Sequence, residues 1–427
     1  MSRLGDLPHL RRAGDRQGIA SICTAHPTVI ETALRHAKAS DAVVLIEATC
    51  NQVNQDGGYT GMTPAAFRRF VEAIAERVDF DCDRLILGGD HLGPNPWRHL
   101  SANAAMNKAE ALVAAYADAG FAKLHLDASM GCAGEPVAQA DEIVAERAAR
   151  LAAAVESRSP TVPPVYVIGT EVPVPGGMTA QAHDLEITRP EAALRTYETH
   201  CKAFQAAGLE AAFERAVGLV VQPGVEFSHS DVMVYEPNKA ADLKVALNRM
   251  PRFVFEAHST DYQPKRALRS LVEDGFAILK VGPWLTFALR EALYGLDQIA
   301  QVFDPGFREQ SLTSTMEALM LREPQHWRRY YRGGEVETRI QRHFSYSDRI
   351  RYYWPHPTAI AAVERLSATL RGRRIPETLI SQYLSTAYDG VAAGRVEPLA
   401  PDLVRAALWR VLDLYAAACG ADPPIGR

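Results

Sequence analysis

The stretch Leu85-Ile86-Leu87-Gly88-Gly89-Asp90-His91-Leu92-Gly93-Pro94 decides the fold of this chain. A short apolar run ends in two glycines, and an acid, an imidazole and a Gly-Pro turn follow at once. Such a run is typical of a buried parallel strand, whose C-terminal end carries polar side chains to one edge of the sheet. The glycines leave little side-chain bulk, which suits the close approach of a ligand. The sequence therefore predicts that Asp90 and His91 belong to a functional site.

Seven further segments repeat this order of an apolar run, a polar cluster and a helix-like run. The predicted strands are 18–23, 43–46, 84–87, 123–126, 165–168, 217–221, 252–255 and 277–281. The predicted helices are 28–38, 64–78, 102–119, 141–157, 190–207, 238–248, 264–273 and 285–302. Alternation of this kind favours a parallel sheet, and eight units predict an α/β fold closed into a TIM (β/α)8 barrel.

Residues beyond 302 break the alternation. We predict a barrel over residues 1–302 and a C-terminal helical extension over 303–427, packed on the barrel because no flexible linker separates the two. Within the extension, 316–321 and 326–331 look helical. The aromatic run "FSYSDRIRYYWP" at 344–355 is interpreted mainly as packing. Arg349 or Arg351 within it could reach an anionic ligand, since arginine binds phosphate through two parallel hydrogen bonds.

Composition excludes several classes of protein. The 427 residues accommodate one barrel of about 250 residues and an extension. A net charge of −5 without a basic block argues against a nucleic-acid partner. No apolar run approaches the roughly 18 residues of a membrane span, and none follows the arginine-rich N-terminus as a signal would require. Six cysteines without a CxxC pair indicate a reducing cytoplasm.

Predicted strands 3, 4 and 7 carry the acids and histidines of the candidate site. Glu256 and His258 alternate along strand 7 and therefore face the same side, and the same spacing brings Asp127 to the barrel top from strand 4, beside His125. A buried histidine paired with a buried acid would show the same pattern. The functional interpretation makes His258 a metal ligand and Ser259 a contact to phosphate or to the ligands.

Polar residues also follow strands 2 and 5. Glu47 and Glu171 end these strands, and a carboxylate is costly to bury there without a partner or a role. Asn51 and Gln52 supply neutral amides that suit sugar hydroxyls, although an ordinary polar loop would look the same.

The last strands suggest where a phosphate would bind. Barrels often hold phosphate with backbone amides after strands 7 and 8, which here means Ser259 and Gly282. No GxxxxGK[ST] or GxGxxG motif occurs, which argues against a P-loop kinase and a standard dinucleotide fold. Lys280 on strand 8 could act as a Schiff-base nucleophile, but the histidines favour metal chemistry. Without an HExxH motif, the metal prediction depends on placement in the fold.

Long motifs over nearly the whole chain resemble one family. They are "IEATCNQVNQDGGYTGMTP" (46–64), "LILGGDHLGPNPW" (85–97), "KLHLDASMGCAGEP" (123–136), "VIGTEVPVPGG" (167–177), "VVQPGVEFSH" (220–229), "EAHSTDYQ" (256–263), "ILKVGPWLTFALREA" (278–292) and "FSYSDRIRYYWPH" (344–356). The chain resembles the so-called non-catalytic subunit of class II D-tagatose-1,6-bisphosphate aldolase. Some members of that family have been called tagatose-6-phosphate kinases, and others resemble metal-dependent D-tagatose 6-phosphate 4-epimerases. The resemblance implies a TIM barrel in hexose-phosphate metabolism.

A second resemblance, to the catalytic class II aldolases, implies a divalent metal ion such as Zn, Mn, Mg or Ni. His91 and His258 match two of the histidine ligands of those enzymes. The third is missing, because Gln222 stands near its place and His229 lies further on. Glu171 or Gln222 is therefore expected to complete the ligand set. The acid–base candidates are Asp90, Glu47 and Asp127.

Two functions follow as expectations. The first is 4-epimerisation of D-tagatose 6-phosphate to D-fructose 6-phosphate by breaking and remaking a C–C bond. The alternative is a barrel that stabilises a separate class II aldolase catalytic subunit. The acids and histidines at several strand ends favour the enzyme, and its expected substrate is a hexose phosphate. Neither a nucleic-acid partner nor a membrane is expected. A homo-oligomer is left open, and a kinase would require nucleotide binding that no motif supports.

Overall fold

The computed structural model, which describes residues 3–169 and 185–420, contains a closed barrel of eight parallel strands. In chain order the strands are β1 (Ile19–Cys23), β2 (Val44–Thr49), β3 (Leu85–Leu92), β4 (Lys123–Leu126), β5 (Val165–Ile168), β6 (Ala216–Val220), β7 (Glu226–Phe227), β8 (Val232–Met233), β9 (Val254–Ala257) and β10 (Phe276–Val281). The barrel runs β1-β2-β3-β4-β5-β6-β9-β10 and closes between β10 and β1. β7 and β8 form a separate antiparallel hairpin between β6 and β9. The predicted TIM barrel is confirmed.

Helices surround the barrel and continue beyond it. They are α1 (Arg3–Arg12), α2 (Pro27–Ala39), α3 (Pro64–Arg77), α4 (Ala102–Asp118), α5 (Asp141–Glu156), α6 (Pro190–Ala206), α7 (Glu210–Glu214), α8 (Ala241–Ala246), α9 (Lys265–Glu273), α10 (Pro283–Phe303), α11 (Leu312–Arg322), α12 (Glu335–Phe344), α13 (Pro357–Leu370), α14 (Glu377–Tyr383), α15 (Ser385–Ala392) and α16 (Ala400–Ala418). Among these residues, no helix combines the length and apolarity needed to cross a membrane.

Local sequence explains several helix starts. Pro64 occupies the first turn of α3, and the Thr63 hydroxyl accepts a hydrogen bond from the Ala66 amide. Proline has no amide hydrogen to leave unpaired there, and a threonine cap satisfies one of the free amides of the first turn. The helix predicted over 238–248 is shorter in the structure than expected. It covers only α8 (Ala241–Ala246), and a 3-10 turn (Leu247–Arg249) follows.

Apolar side chains from the strands fill the N-terminal end of the barrel interior, and α1 closes that end. Leu4 and Leu7 of α1 are buried in one cluster with strand residues such as Leu45, Val167 and Ile278. This cluster stabilises the end of the barrel opposite the polar strand ends. The N-terminal segment is therefore part of the core, which its arginine-rich sequence did not predict.

The extension packs along the barrel and reaches its C-terminal mouth. α16 lies against α2, α9 and α10, and the Tyr262 hydroxyl after β9 donates to the Tyr346 carbonyl at 2.7 Å. The predicted helix at 326–331 is wrong: a 3-10 turn (Pro324–His326) is followed by further turns. There the Trp327 indole folds back and donates to the Met320 carbonyl of α11. The proposed division at residue 302 stays a prediction.

Candidate active site and metal centre

Three imidazoles and one carboxylate converge at the C-terminal mouth of the barrel. Their potential ligand atoms lie within 4.8 Å of one another, and the residues are Asp90, His91, His125 and His258. β3 contributes the first two, β4 contributes His125, and His258 directly follows β9. A buried His and Asp group of this kind has the donor atoms that bind zinc and other divalent transition metals.

The end of β3 is irregular, and this irregularity directs two consecutive side chains to one site. The pairing of β3 with β4 shifts register between Gly89 and Leu92, and His91 has a left-handed backbone with φ of 48°. In a regular strand, Asp90 and His91 would point to opposite faces. A bulge re-aims one of them, and strained backbone at a non-glycine residue is typical of functional sites.

The glycines around this motif make room for the protein itself rather than for a ligand. A Cβ on Gly88 would lie 2.7 Å from Cγ of Glu47, and one on Gly93 would lie 1.7 Å from the Asp127 carbonyl oxygen. The prediction that these glycines allow close approach of a ligand is therefore wrong. They let neighbouring strand ends pack tightly enough to bring their polar groups together.

Each histidine of the group has its outer nitrogen hydrogen-bonded to an acceptor. The pairs are His91 Nδ1 with Asp127 Oδ2 at 2.7 Å, His125 Nε2 with the Gly169 carbonyl at 2.9 Å, and His258 Nε2 with Glu256 Oε1 at 2.9 Å. Carboxylates and carbonyls only accept, so these outer nitrogens carry the protons. The inner nitrogens then carry lone pairs, as in histidine metal ligands. That of His125, Nδ1, accepts a hydrogen bond from the His91 amide at 3.2 Å and lies 3.0 Å from Asp90 Oδ1.

Charge and burial set the protonation of the group. Burial opposes ionisation of Asp90, but the charges of His91 and Lys280 hold the pKa of its carboxyl well below the ordinary value. Burial also opposes a charge on His91, yet Asp90 and Asp127 raise its pKa. Burial lowers the pKa of His258 to about 4, so this imidazole is neutral at neutral pH.

A charged layer lies directly beneath the histidines. Lys123 is fully buried, and its Nζ lies 2.6 Å from Glu47 Oε1 and 2.8 Å from Glu256 Oε2. Lys280 hydrogen-bonds Glu47 and lies 3.0 Å from Asp90 Oδ1. Sequence reasoning did not single out Lys123, although a lysine two residues before His125 on the same strand must share its inward face.

The charges of this region fit a divalent cation. Four carboxylates face two ammonium groups: Glu47, Asp90, Asp127 and Glu256 against Lys123 and Lys280. When the three histidines are neutral, as metal ligands must be, two negative charges remain unmatched inside the barrel. Buried charge is costly unless it is paired or coordinates a metal, so the residues present fit an ion of charge +2.

A cavity of about 170 Å³ opens above the group. Its lining includes nine residues that the sequence predicted for the active site: Asn51, Gln52, Asp90, His91, Asp127, His258, Ser259, Lys280 and Gly282. It also includes Arg351, which the sequence offered as an alternative to Arg349. Cys23, Tyr59 and Tyr352 are among the lining residues that the sequence did not predict. The structure thus brings most of the predicted residues to one place.

Other predicted residues lie elsewhere. Glu47 sits in the charged layer rather than in the cavity wall, because its side chain points to the barrel interior one layer down. Gln222 does not line the cavity, and its side-chain oxygen accepts from the amides of Gly224 and Val225. Arg349 lies outside the cavity wall, with its guanidinium 3.4 Å from the centre of the Tyr330 ring. Glu171 falls outside the described residues.

The predicted phosphate site at Gly282 is occupied by a carboxylate of the protein. The amides of Gly282 and Trp284, at the start of α10, donate to Asp261 Oδ1 at 3.0 and 2.8 Å. Asp261 is buried, and burial raises its pKa to about 6. The backbone donors expected to bind phosphate after strand 8 therefore already have an acceptor.

The sequence matches the family profile described as D-tagatose-1,6-bisphosphate aldolase subunit GatZ/KbaZ-like over residues 4–420. The chain belongs to this family. A GatZ/KbaZ-like relative from Agrobacterium fabrum, named D-tagatose 6-phosphate 4-epimerase, is 52% identical over 420 residues, or 98% of each chain. The D-tagatose-1,6-bisphosphate aldolase subunit GatZ of Escherichia coli is 50% identical over 411 residues, covering 96% of this chain and 98% of the relative.

A solved member of the GatZ/KbaZ-like family has the same architecture. The crystal structure of a protein from Sinorhizobium meliloti, named a probable tagatose 6-phosphate kinase, superposes with a TM-score of 0.89 at 59% identity. The match covers 94% of this chain and all of that one. Three related proteins thus carry three different functional names, so the chemistry of the site has to decide between them.

Proposed function

We propose that this GatZ/KbaZ-like chain is a cytoplasmic, metal-dependent 4-epimerase that interconverts D-tagatose 6-phosphate and D-fructose 6-phosphate. One observation carries the proposal: three histidines, each fixed through its outer nitrogen, meet Asp90 at the floor of a cavity. The 52% identity to a relative named as this epimerase supports the substrate. The six cysteines, all unpaired, agree with a reducing compartment.

The substrate explains why an aldolase-like site is needed. The two sugar phosphates differ only at C4, whereas the carbonyl is at C2, so the hydrogen on C4 is not acidic. Breaking the C3–C4 bond avoids this difficulty: the electron pair passes to C3, next to the carbonyl, and C4 becomes an aldehyde. When the aldehyde turns over and C3 attacks its opposite face, the configuration at C4 is inverted with no net change in atoms.

Asp90 is the proposed acid–base group for the C4 hydroxyl. Its carboxylate lies in the cavity wall, and Lys280 at 3.0 Å supports the ionised form that accepts a proton. Asp127 has less freedom for this role, because Ser129 donates to its Oδ1 and His91 to its Oδ2. We therefore assign Asp127 to orienting His91. A positioned acid–base group contributes about 10²–10⁴-fold to a rate.

His91, His125 and His258 would hold the divalent ion, next to the proposed acid–base group Asp90. Such an ion supplies Lewis-acid stabilisation of the negative charge that develops on substrate oxygens when the C3–C4 bond breaks. Lys280 adds a fixed positive charge at the same edge of the cavity.

The Schiff-base alternative is disfavoured by the surroundings of Lys280. Nucleophilic attack on a carbonyl requires a neutral amine. Burial favours the neutral form, but Asp90 and Glu47 outweigh it and hold the pKa of Lys280 well above its ordinary value. Lys280 therefore remains an ammonium group at neutral pH and serves as a fixed charge.

The second candidate function is that of an accessory subunit. It is favoured by the 50% identity to proteins named as aldolase subunit GatZ. In that role the barrel would stabilise a separate class II aldolase catalytic subunit and would require neither metal nor sugar phosphate of its own.

One experiment separates these functions. The chain is purified alone, its metal content is measured, and D-tagatose 6-phosphate is supplied with and without a chelator while D-fructose 6-phosphate is assayed. Conversion that the chelator abolishes, and that Asp90→Asn lowers by about 10²-fold or more, supports the epimerase. No conversion with any divalent metal, together with a longer lifetime of a co-expressed aldolase, supports the accessory subunit. Consumption of ATP with formation of a bisphosphate would instead support a kinase.

A further inference from the structure

The start of α10 cannot serve as the phosphate site of this barrel. Helix N-termini after the last strands commonly bind phosphate through free backbone amides. Here the Gly282 and Trp284 amides share Asp261 Oδ1, and the Asp261 side chain is buried beside the cavity. A phosphate would have to displace this carboxylate and would meet its like charge. The phosphate must therefore be bound by another part of the cavity wall.

Arg351 lies in that wall and comes from the extension, not from the barrel. Its Nη1 donates to the carbonyls of Ser347 and Asp348, and its Nη2 donates to the Tyr352 hydroxyl at 3.1 Å. A guanidinium has five N–H donors. Within the described part of the chain, Nε–H and the second hydrogen of Nη2 have no acceptor. These two neighbouring donors form the edge that pairs with a phosphate or carboxylate.

The guanidinium is held in place before any ligand arrives. It stacks 4.6 Å from the centre of the Tyr352 ring, and Tyr352 in turn contacts Tyr59 of the β2 loop, with ring centres 4.9 Å apart. A charge fixed in this way loses little side-chain entropy when it binds, which strengthens recognition of an anion.

Asp348 sets the position of this segment. It adopts a left-handed backbone with φ of 45° at the start of the 3-10 helix (Arg349–Tyr353). Its side chain accepts from the Thr286 hydroxyl at 2.5 Å and lies 3.9 Å from Arg290 Nε, so two residues of α10 anchor it. The barrel thus fixes the turn from which Arg351 enters the cavity.

We infer that Arg351 is the substrate-binding residue that recognises the phosphate group of the sugar phosphate. This inference rests on the proposed function, which supplies the substrate class. It assigns the phosphate subsite to the extension over the barrel mouth rather than to the usual backbone site at strand 8.

Binding tests this assignment independently of turnover. The full-length, metal-loaded chain is titrated by calorimetry with D-fructose 6-phosphate, with inorganic phosphate and with unphosphorylated D-fructose. Arg351→Met is expected to weaken binding of both phosphate-containing ligands by about 10- to 100-fold and to leave D-fructose unchanged. Arg351→Lys, which keeps the charge but loses the paired donors, should lie between them. Arg328→Met, at an exposed arginine of the same extension, is the matched control.

The outcomes distinguish the assignment of Arg351 from the proposed function. If either Arg351 variant, folded by circular dichroism, binds D-fructose 6-phosphate as tightly as the unaltered chain, the assignment of Arg351 is overturned. If the unaltered chain binds the sugar phosphate through Arg351 but does not convert it, the proposed function fails and the phosphate subsite stands. If the unaltered chain binds neither D-fructose 6-phosphate nor inorganic phosphate, both are overturned.

Discussion

His258 donates its Nε2 proton to Glu256 Oε1 across 2.9 Å, although the two residues are only two positions apart on one strand and its continuation. The other oxygen of the same carboxylate lies 2.8 Å from Lys123 Nζ. Burial opposes the charge on Glu256, but Lys123 and His258 hold its pKa below the ordinary value. The ionised Glu256 therefore fixes the tautomer of His258 with its proton on Nε2.

Replacing Glu256 by glutamine tests this control of the tautomer. An amide can present either a donor or an acceptor to His258 and no longer raises the basicity of the ring. We expect Glu256→Gln to lower metal affinity by about 10- to 100-fold, measured by competition with a chromogenic chelator. Glu273→Gln, at an exposed ion pair with Arg269, is the control and should bind metal normally. Equal affinities in the two variants would refute the role of Glu256.

Removing the buried lysine of the charged layer should lower the stability of the fold. Lys123→Met leaves Glu47 and Glu256 buried without their shared cation, so we expect a loss of about 3–5 kcal/mol in the free energy of unfolding of the metal-free chain. Lys108→Met breaks an exposed pair with Asp56 and should cost about 0–1 kcal/mol. Urea denaturation followed by circular dichroism compares the two. Similar midpoints for both lysine variants would show that Lys123 is not needed to balance the acids.

The identity of the third histidine ligand can be settled by metal content. His125→Ala is expected to purify with far less than one metal ion per chain, because it removes a ligand nitrogen from the centre of the group. Gln222→Ala should retain its metal, since the Gln222 oxygen accepts backbone amides instead. His99→Ala, at an exposed histidine, controls for the substitution itself. Loss of metal from the Gln222 variant alone would restore the ligand set expected from the sequence.

The buried carboxyl of Asp348 should make the stability of the fold depend on pH. Burial raises the pKa of its carboxyl to about 7, against the opposing charge of Arg290, from an ordinary value of 3.8. Between these values the folded chain binds more protons at this site than the unfolded chain, so the contribution of Asp348 to stability falls as pH rises through this range. Asp348→Asn removes the titration and tolerates the left-handed backbone.

Thermal unfolding therefore should distinguish the Asp348→Asn variant by its pH dependence. We expect the melting temperature of this variant to rise relative to that of the unaltered chain when the pH is raised from about 5 to about 8. Asp389→Asn, at an exposed aspartate of the same extension, should track the unaltered chain at both values. A constant difference between Asp348→Asn and the unaltered chain over this range would contradict the raised pKa.

Local sequence was sufficient to predict the barrel and the rim of its site. The apolar runs of four to eight residues that end in polar clusters mark the eight barrel strands, because a strand covered on both faces must be apolar along its length. Parallel strands bring their C-terminal ends to one mouth, so strand order and spacing are enough to group Asp90, His91 and His258. The same reasoning placed Asn51 and Lys280 in the cavity wall.

The tertiary structure alone decided which side chains meet. His125, which the sequence did not name as a ligand, joins the donor group, Lys123 lies between two acids, and Arg351 rather than Arg349 enters the cavity. These outcomes depend on the register between neighbouring strands, on the bulge in β3 and on a turn anchored across the fold at Asp348. Sequence periodicity gives the face of a strand on which a residue lies. It does not give the height at which that residue meets another strand, and contact between charged groups depends on that height.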